Sequence, residues 1–112
     1  MEVETKLLDS VIMLTPHGRI DTASAGEFEK ALNAVISGGN KKIIVVFASV
    51  DYISSAGLRV LLLIGKRLKV TKGNIALSDM SERIFEVFKI SGFNKILTIC
   101  ATADEARKSI AF

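Results

Sequence analysis

One run, Ile43-Ile44-Val45-Val46-Phe47, constrains this chain more than any other feature. It has no polar residue on either side of a pleat. A strand with one wet face alternates apolar and polar side chains, so an unbroken run reads as a strand covered on both faces, hence parallel and central. Parallel neighbours need long crossover connections, normally helices. The flanking sequence supplies them. Upstream, Phe28, Ala31, Leu32, Val35 and Ile36 recur at i, i+3, i+4, i+7 and i+8, which predicts a helix over 24–37. Ser24 and Glu27 are spaced as a capping box, and Ser37-Gly38-Gly39-Asn40 stops the helix.

The same alternation continues downstream. A second helix is expected over 56–71, ending before Gly73-Asn74, then a short strand at Ile75-Ala76-Leu77. Asp79 and Glu82 cap a third helix over 81–91 that carries Ile84, Phe85, Val87 and Phe88, with Gly92 just past its end. Lys95 to Cys100 reads as the last strand. Thr102 with Glu105 starts a final helix over 102–110. At the other end, Val3–Leu8 and Val11–Thr15 flank Asp9-Ser10 as a hairpin, with Pro16 and Gly18 closing its second strand. The order is ββαβαβαβα. It defines an α/β fold: one domain over 1–112, with a mixed four- to five-stranded sheet and about four helices packed on it. A chain of 112 residues is long enough to bury one core without staples.

Several function classes drop out. The net charge is +3, but Lys41-Lys42, Lys66-Arg67, Lys69 and Arg107-Lys108 are scattered, so no direct nucleic-acid partner is expected. No apolar stretch approaches a membrane span, and the N-terminal residues lack a basic region before an apolar core; the expected location is the cytoplasm. Cys100, the single cysteine, lies in an apolar run and reads as a buried structural thiol. His17 is the single histidine, which leaves no Ser-His-Asp triad and no histidine-based metal site. It reads as an exposed turn residue. No glycine-rich phosphate loop or paired-cysteine motif is present. Catalytic residues, cofactor and metal are therefore all expected to be none. Asp21 and Asp51 read as turn or cap residues, Asp21 directly before the first helix, where a carboxylate complements the helix dipole.

The segment Val50-Asp51-Tyr52-Ile53-Ser54-Ser55-Ala56-Gly57-Leu58 stands out. Two serines fall where a helix must begin. Serine there commonly caps, accepting a backbone N–H. A helix N-terminus also tolerates a phosphate, and Ala56-Gly57 leaves the hydroxyl accessible. The helix that follows is apolar on two sides. Leu58, Leu61, Leu62, Gly65 and Leu68 form an inward stripe, while Val60, Leu63 and Val70 fall opposite, among Arg59, Lys66 and Arg67. Either the helix is unusually buried or its outer face, through Arg59, Val60, Leu63 and Arg67, binds a partner.

Tyr52-Ile53-Ser54-Ser55-Ala56-Gly57-Leu58-Arg59-Val60-Leu61-Leu62 resembles the loop-helix signature of STAS domains, the family of anti-sigma-factor antagonists. Gly18-Arg19-Ile20-Asp21-Thr22-Ala23 is similar to the family's Gly-x-Leu-Asp segment, and Ile90-Ser91-Gly92-Phe93-Asn94-Lys95-Ile96 to its third-helix exit. The resemblance implies a partner switch. The unphosphorylated antagonist binds an anti-sigma factor with serine kinase activity; phosphorylation releases it, and a serine phosphatase resets the cycle. The family's phosphoserine falls on Ser55 and its pocket aspartate on Asp21, with Ser54, Ala56 and Gly57 forming the loop. Ser54 stands where many members carry Asp, and Val46 where many carry Asp or Asn, so this pocket is less acidic. The same resemblance covers a regulatory or scaffold domain that phosphorylation does not control. A phosphate-accepting receiver domain fits worse: Thr15-Pro16-His17 and Phe47-Ala48 do not supply its acidic residues.

Overall fold

The computed structural model describes residues 1–110. The hairpin comes first: β1 (Glu2–Leu8) and β2 (Val11–Ile20) pair antiparallel. Then follow α1 (Ala25–Ser37), β3 (Lys42–Val46), β4 (Val50–Ile53), α2 (Ser55–Val70), β5 (Asn74–Ser78) and α3 (Glu82–Ser91). A 3-10 turn at Phe93–Lys95, β6 (Thr98–Cys100) and α4 (Ala103–Ile110) complete the described residues. The mixed sheet runs β1-β2-β3-β5-β6, with β4 paired to β2 beyond the end of β3. The expected α/β architecture is present, with six strands rather than four or five.

The central run behaves as its composition requires. β3 lies between β2 and β5 and is parallel to both. Its residues divide by parity. Ile43 and Val45 join the larger core with α1, α2 and α3, which holds Phe28, Leu32, Leu61, Leu68, Ile84 and Phe88. Ile44 and Val46 face the other way, with Val11, Ala76 and the α4 residues Ala106 and Ile110. Helices therefore cover both faces, and neither parity admits a polar side chain. Phe47 lies past the strand end but is buried, its ring edge-on to Phe88 at 5.8 Å between centroids.

Four local expectations are corrected. Pro16 and Gly18 do not close β2, which continues to Ile20. On that side of β2 the partner changes, from β3 as far as Leu14 to β4 from Gly18 onward, and Pro16 occupies the gap, where a residue without N–H is tolerated. Residues 50–53, expected as loop, form β4, parallel to β2. The last strand is shorter than 95–100, because Gly92 in a left-handed conformation (φ 80°) turns the chain into the 3-10 segment. The caps also differ. Ser24 donates its hydroxyl to the Arg19 carbonyl (2.6 Å) and does not cap α1; Ser81, not Asp79 or Glu82, caps α3 by accepting the Ile84 N–H (3.2 Å). Thr102 does accept the Glu105 N–H (3.1 Å) at the start of α4.

Candidate functional site

The site is built where two strand ends meet a helix start. β4 runs parallel to the last turn of β2, with Arg19 opposite Tyr52 and Ile20 opposite Ile53. The Ser54 N–H extends the ladder by donating to the Ile20 carbonyl (2.8 Å). The chain then turns into α2, whose first intrahelical bond runs from the Leu58 N–H to the Ser54 carbonyl (3.0 Å).

Ser54 thus holds the N-cap position, in extended backbone (φ −94°, ψ 174°), yet its side chain accepts no cap bond. Its hydroxyl oxygen is buried without a hydrogen-bond partner among the described residues. Ser55, the first helical residue, is exposed. The two adjacent serines therefore differ: one hydroxyl is enclosed, the other open. The N–H groups of Ser55, Ala56 and Gly57 lack intrahelical acceptors, as at any helix start, and carry the positive end of the dipole.

Gly57 explains how α2 comes so close. A methyl group there would lie 2.7 Å from Ile20 Cγ2 and 2.8 Å from Ile53 Cγ1, so only a bare Cα lets the helix pack on both strand ends. Ala56 is half-buried and packs against the larger core. Asp21 lies one residue beyond the carbonyl that receives the Ser54 N–H. Its Oδ1 accepts the N–H groups of Ala23 (3.0 Å) and Ser24 (3.1 Å), and its Oδ2 faces Arg19 Nε at 3.6 Å. The Ser24 backbone N–H, more than any other contact, holds its carboxyl below the usual carboxylate range. Asp21 is an ionised turn former that brings negative charge next to the serine loop.

Sequence reasoning missed one neighbour pair. The Arg19 guanidinium lies 4.3 Å from the centroid of the Tyr52 ring, a cation–π contact that borders the loop. Only the β2–β4 register brings these residues together, and nothing local to either one signals it.

The α2 surface is also redistributed. Gly57, Leu58, Val60, Leu61, Ile64 and Leu68 are buried. Val60, expected on the outer face, is 5% exposed and belongs to the larger core, because α1 packs beside α2 and covers that flank. Leu62 and Gly65, expected inside, are only half-buried. Arg59 is exposed and Leu63 is 48% exposed. Arg67 reaches α1, donating to Asn33 Oδ1 and to Ser37 Oγ (3.4 Å). Ser55, Arg59, Leu63 and Arg67 follow at intervals of four, so they form one ridge along the helix. Cys100 is half-buried against the α4 core, and desolvation pushes its thiol up, away from nucleophilic character.

The order of elements, the antiparallel opening hairpin and a serine loop leading into a buried helix together describe one class of fold. The chain belongs to the STAS domain family, whose sequence profile matches residues 2–106. It is 32% identical over 106 residues to BtrV of Bordetella bronchiseptica, provisionally named an anti-sigma factor antagonist; the match covers 95% of this chain and 91% of that one. It is 28% identical over 104 residues to the anti-sigma-B factor antagonist of Bacillus subtilis, covering 93% and 94%. Among solved structures, that of TM1081 from Thermotoga maritima, also provisionally named an anti-sigma factor antagonist, superposes with a TM-score of 0.91 at 26% identity, covering 98% of this chain and 95% of that one.

Proposed function

We propose that this chain is an anti-sigma factor antagonist of the cytoplasm that acts by binding rather than catalysis, and that phosphorylation of Ser55 switches it off. Its partners on this reading are an anti-sigma factor with serine kinase activity and a serine phosphatase. The observation that carries the reading is the contrast at the start of α2, where Ser55 is exposed and the Ser54 hydroxyl is enclosed. A kinase needs an accessible hydroxyl, and the first turn of a helix tolerates the charge that it adds. The named relatives support the antagonist role. Consistent with a cytoplasmic protein, no helix among the described residues is long and apolar enough to cross a membrane.

The partner docks along the ridge that starts at Ser55 and continues through Arg59 and Leu63. A phosphate on Ser55 brings about −1.5 to −2 charges and a strongly held water shell into that contact. Asp21, ionised and paired with Arg19 at 3.6 Å, follows directly after the Ile20 carbonyl that receives the Ser54 N–H. A penalty of about 3 kcal/mol weakens affinity roughly a hundredfold, enough for a switch.

The test uses the purified chain, ATP and each candidate anti-sigma serine kinase of the source genome, read by intact mass. One phosphate is expected, lost in Ser55→Ala and kept in Ser54→Ala. Ser55→Asp is expected to melt close to wild type while binding the kinase poorly. Phosphate retained in Ser55→Ala and lost in Ser54→Ala would move the site to Ser54, whereas no phosphate on the wild type, or binding unchanged in Ser55→Asp, would favour a scaffold domain without phosphorylation control.

A further inference from the structure

We propose that Glu2, Glu4 and His17 form a binding site for a divalent cation of the zinc class, separate from the serine loop. Register builds it, since His17 is far from both glutamates in sequence. In the β1–β2 ladder Glu2 stands opposite His17, and Glu4 stands opposite Thr15. Residues two apart project from one face of a strand, so Glu2 and Glu4 share a face with each other and, through the cross-strand pair, with His17. One ligand atom from each of the three lies within 4.8 Å of the others. His17 Nε2 and Glu4 Oε1 are 3.2 Å apart, close to the roughly 3.3 Å that separates two donors on a tetrahedral ion with bonds near 2 Å.

The histidine nitrogen carries the proposal. Nε2 is shielded from solvent, yet it has no hydrogen-bond partner among the described residues, because Glu4 Oε1 is near but out of line. Neither protonation state gives it an aligned hydrogen bond. A proton on Nε2 meets Glu4 Oε1 as an ion pair at 3.2 Å but out of line for a hydrogen bond, and a lone pair on Nε2 faces a carboxylate oxygen. A cation taking that lone pair together with the two carboxylates gives the nitrogen an aligned partner and neutralises the carboxylates at once. Lys6 projects from the same face one pair further along, and no ion pair joins it to either glutamate among the described residues.

Donor chemistry sets the class. An imidazole nitrogen with two carboxylates suits zinc and its first-row neighbours, whereas magnesium and calcium prefer oxygen alone. Both glutamates are exposed, so an ion would reach Nε2 by moving the Glu4 carboxylate aside, and water would complete its shell. The ladder of seven pairs holds the three side chains in place, and a bound ion would pin the edge strand β1 to β2.

Because His17 is the only histidine, its ring protons give a single unambiguous set of NMR signals. Tag-free protein is titrated with zinc sulfate and followed by those signals and by calorimetry. The expected result is one zinc per chain, with the imidazole signals shifted. Binding should weaken at least tenfold in His17→Ala and in Glu4→Gln, and persist in Cys100→Ser. Imidazole signals that zinc leaves unmoved, no uptake at millimolar zinc, or wild-type affinity in a folded His17→Ala would each overturn the site. Equal binding of magnesium would overturn the assignment to the zinc class.

Discussion

Gly57 sets the distance between α2 and the strands beneath it. Its hypothetical Cβ meets Ile20 and Ile53, and both side chains are fixed in the larger core. Gly57→Ala must therefore push α2 outward or strain the loop, at a cost of about 1–3 kcal/mol. At roughly 4–8 °C per kcal/mol for a domain of this size, thermal unfolding will resolve it. An unchanged melting temperature would mean that the helix start is not held by this contact. Asp21 gives a second residue-scale expectation. Its carboxyl is held below its ordinary range chiefly by the Ser24 N–H, so the folded value is lower than the unfolded one. The stability it contributes is complete above the unfolded value and disappears as pH falls through the folded one. Asp21→Asn should melt earlier than wild type near neutrality, and the gap should narrow in strong acid. A gap that stays constant from neutral to acidic pH would assign the effect to shape rather than charge.

At the scale of elements, α2 was the most legible as a helix and the least legible as a surface. Leu58 and the unbroken run Val60 to Ile64 are all aliphatic, so a period of 3.6 finds more than one stripe there. The structure chooses the stripe through Val60 and Ile64 because α1 lies alongside, and that contact belongs to tertiary structure. The choice has measurable consequences. Val60→Ala is expected to cost about 1–3 kcal/mol by leaving space in the core, and Leu63→Ala to stay within about 0.5 kcal/mol of wild type. Only Leu63→Ala should weaken partner binding in a pull-down or calorimetric titration. Should Leu63→Ala lower stability and leave affinity intact, the ridge is not the docking face. β4 was missed for another reason. It is four residues long, with Asp51 and Tyr52 exposed, and its partner segment 18–20 lies far upstream. Elements with periodic faces declare themselves locally; a short strand that exists to satisfy one distant partner does not.

Across the whole molecule the same distinction separates the two sites. Ser54, Ser55, Ala56 and Gly57 are contiguous, so their position at a helix start could be read directly. The Arg19–Tyr52 stack and the Glu2–Glu4–His17 cluster depend on strand register, which one-dimensional spacing does not reveal. The two cores also depend on the fold as a whole. Three helices share the larger face, but α4 alone is the helix that covers Val11, Ile44, Val46 and Ala76, using Ala106 and Ile110. Nothing else among the described residues replaces that cover. Ending the chain after Ala101 should therefore leave the larger core able to form while exposing a contiguous apolar patch on the opposite face of the sheet. Such patches drive association in otherwise soluble domains. The truncated chain is expected to keep most of its far-ultraviolet circular dichroism, melt at lower temperature, bind an apolar dye and self-associate on a sizing column. A truncated chain that remains monomeric, with the wild-type melting temperature, would mean that the sheet is held by its larger face alone.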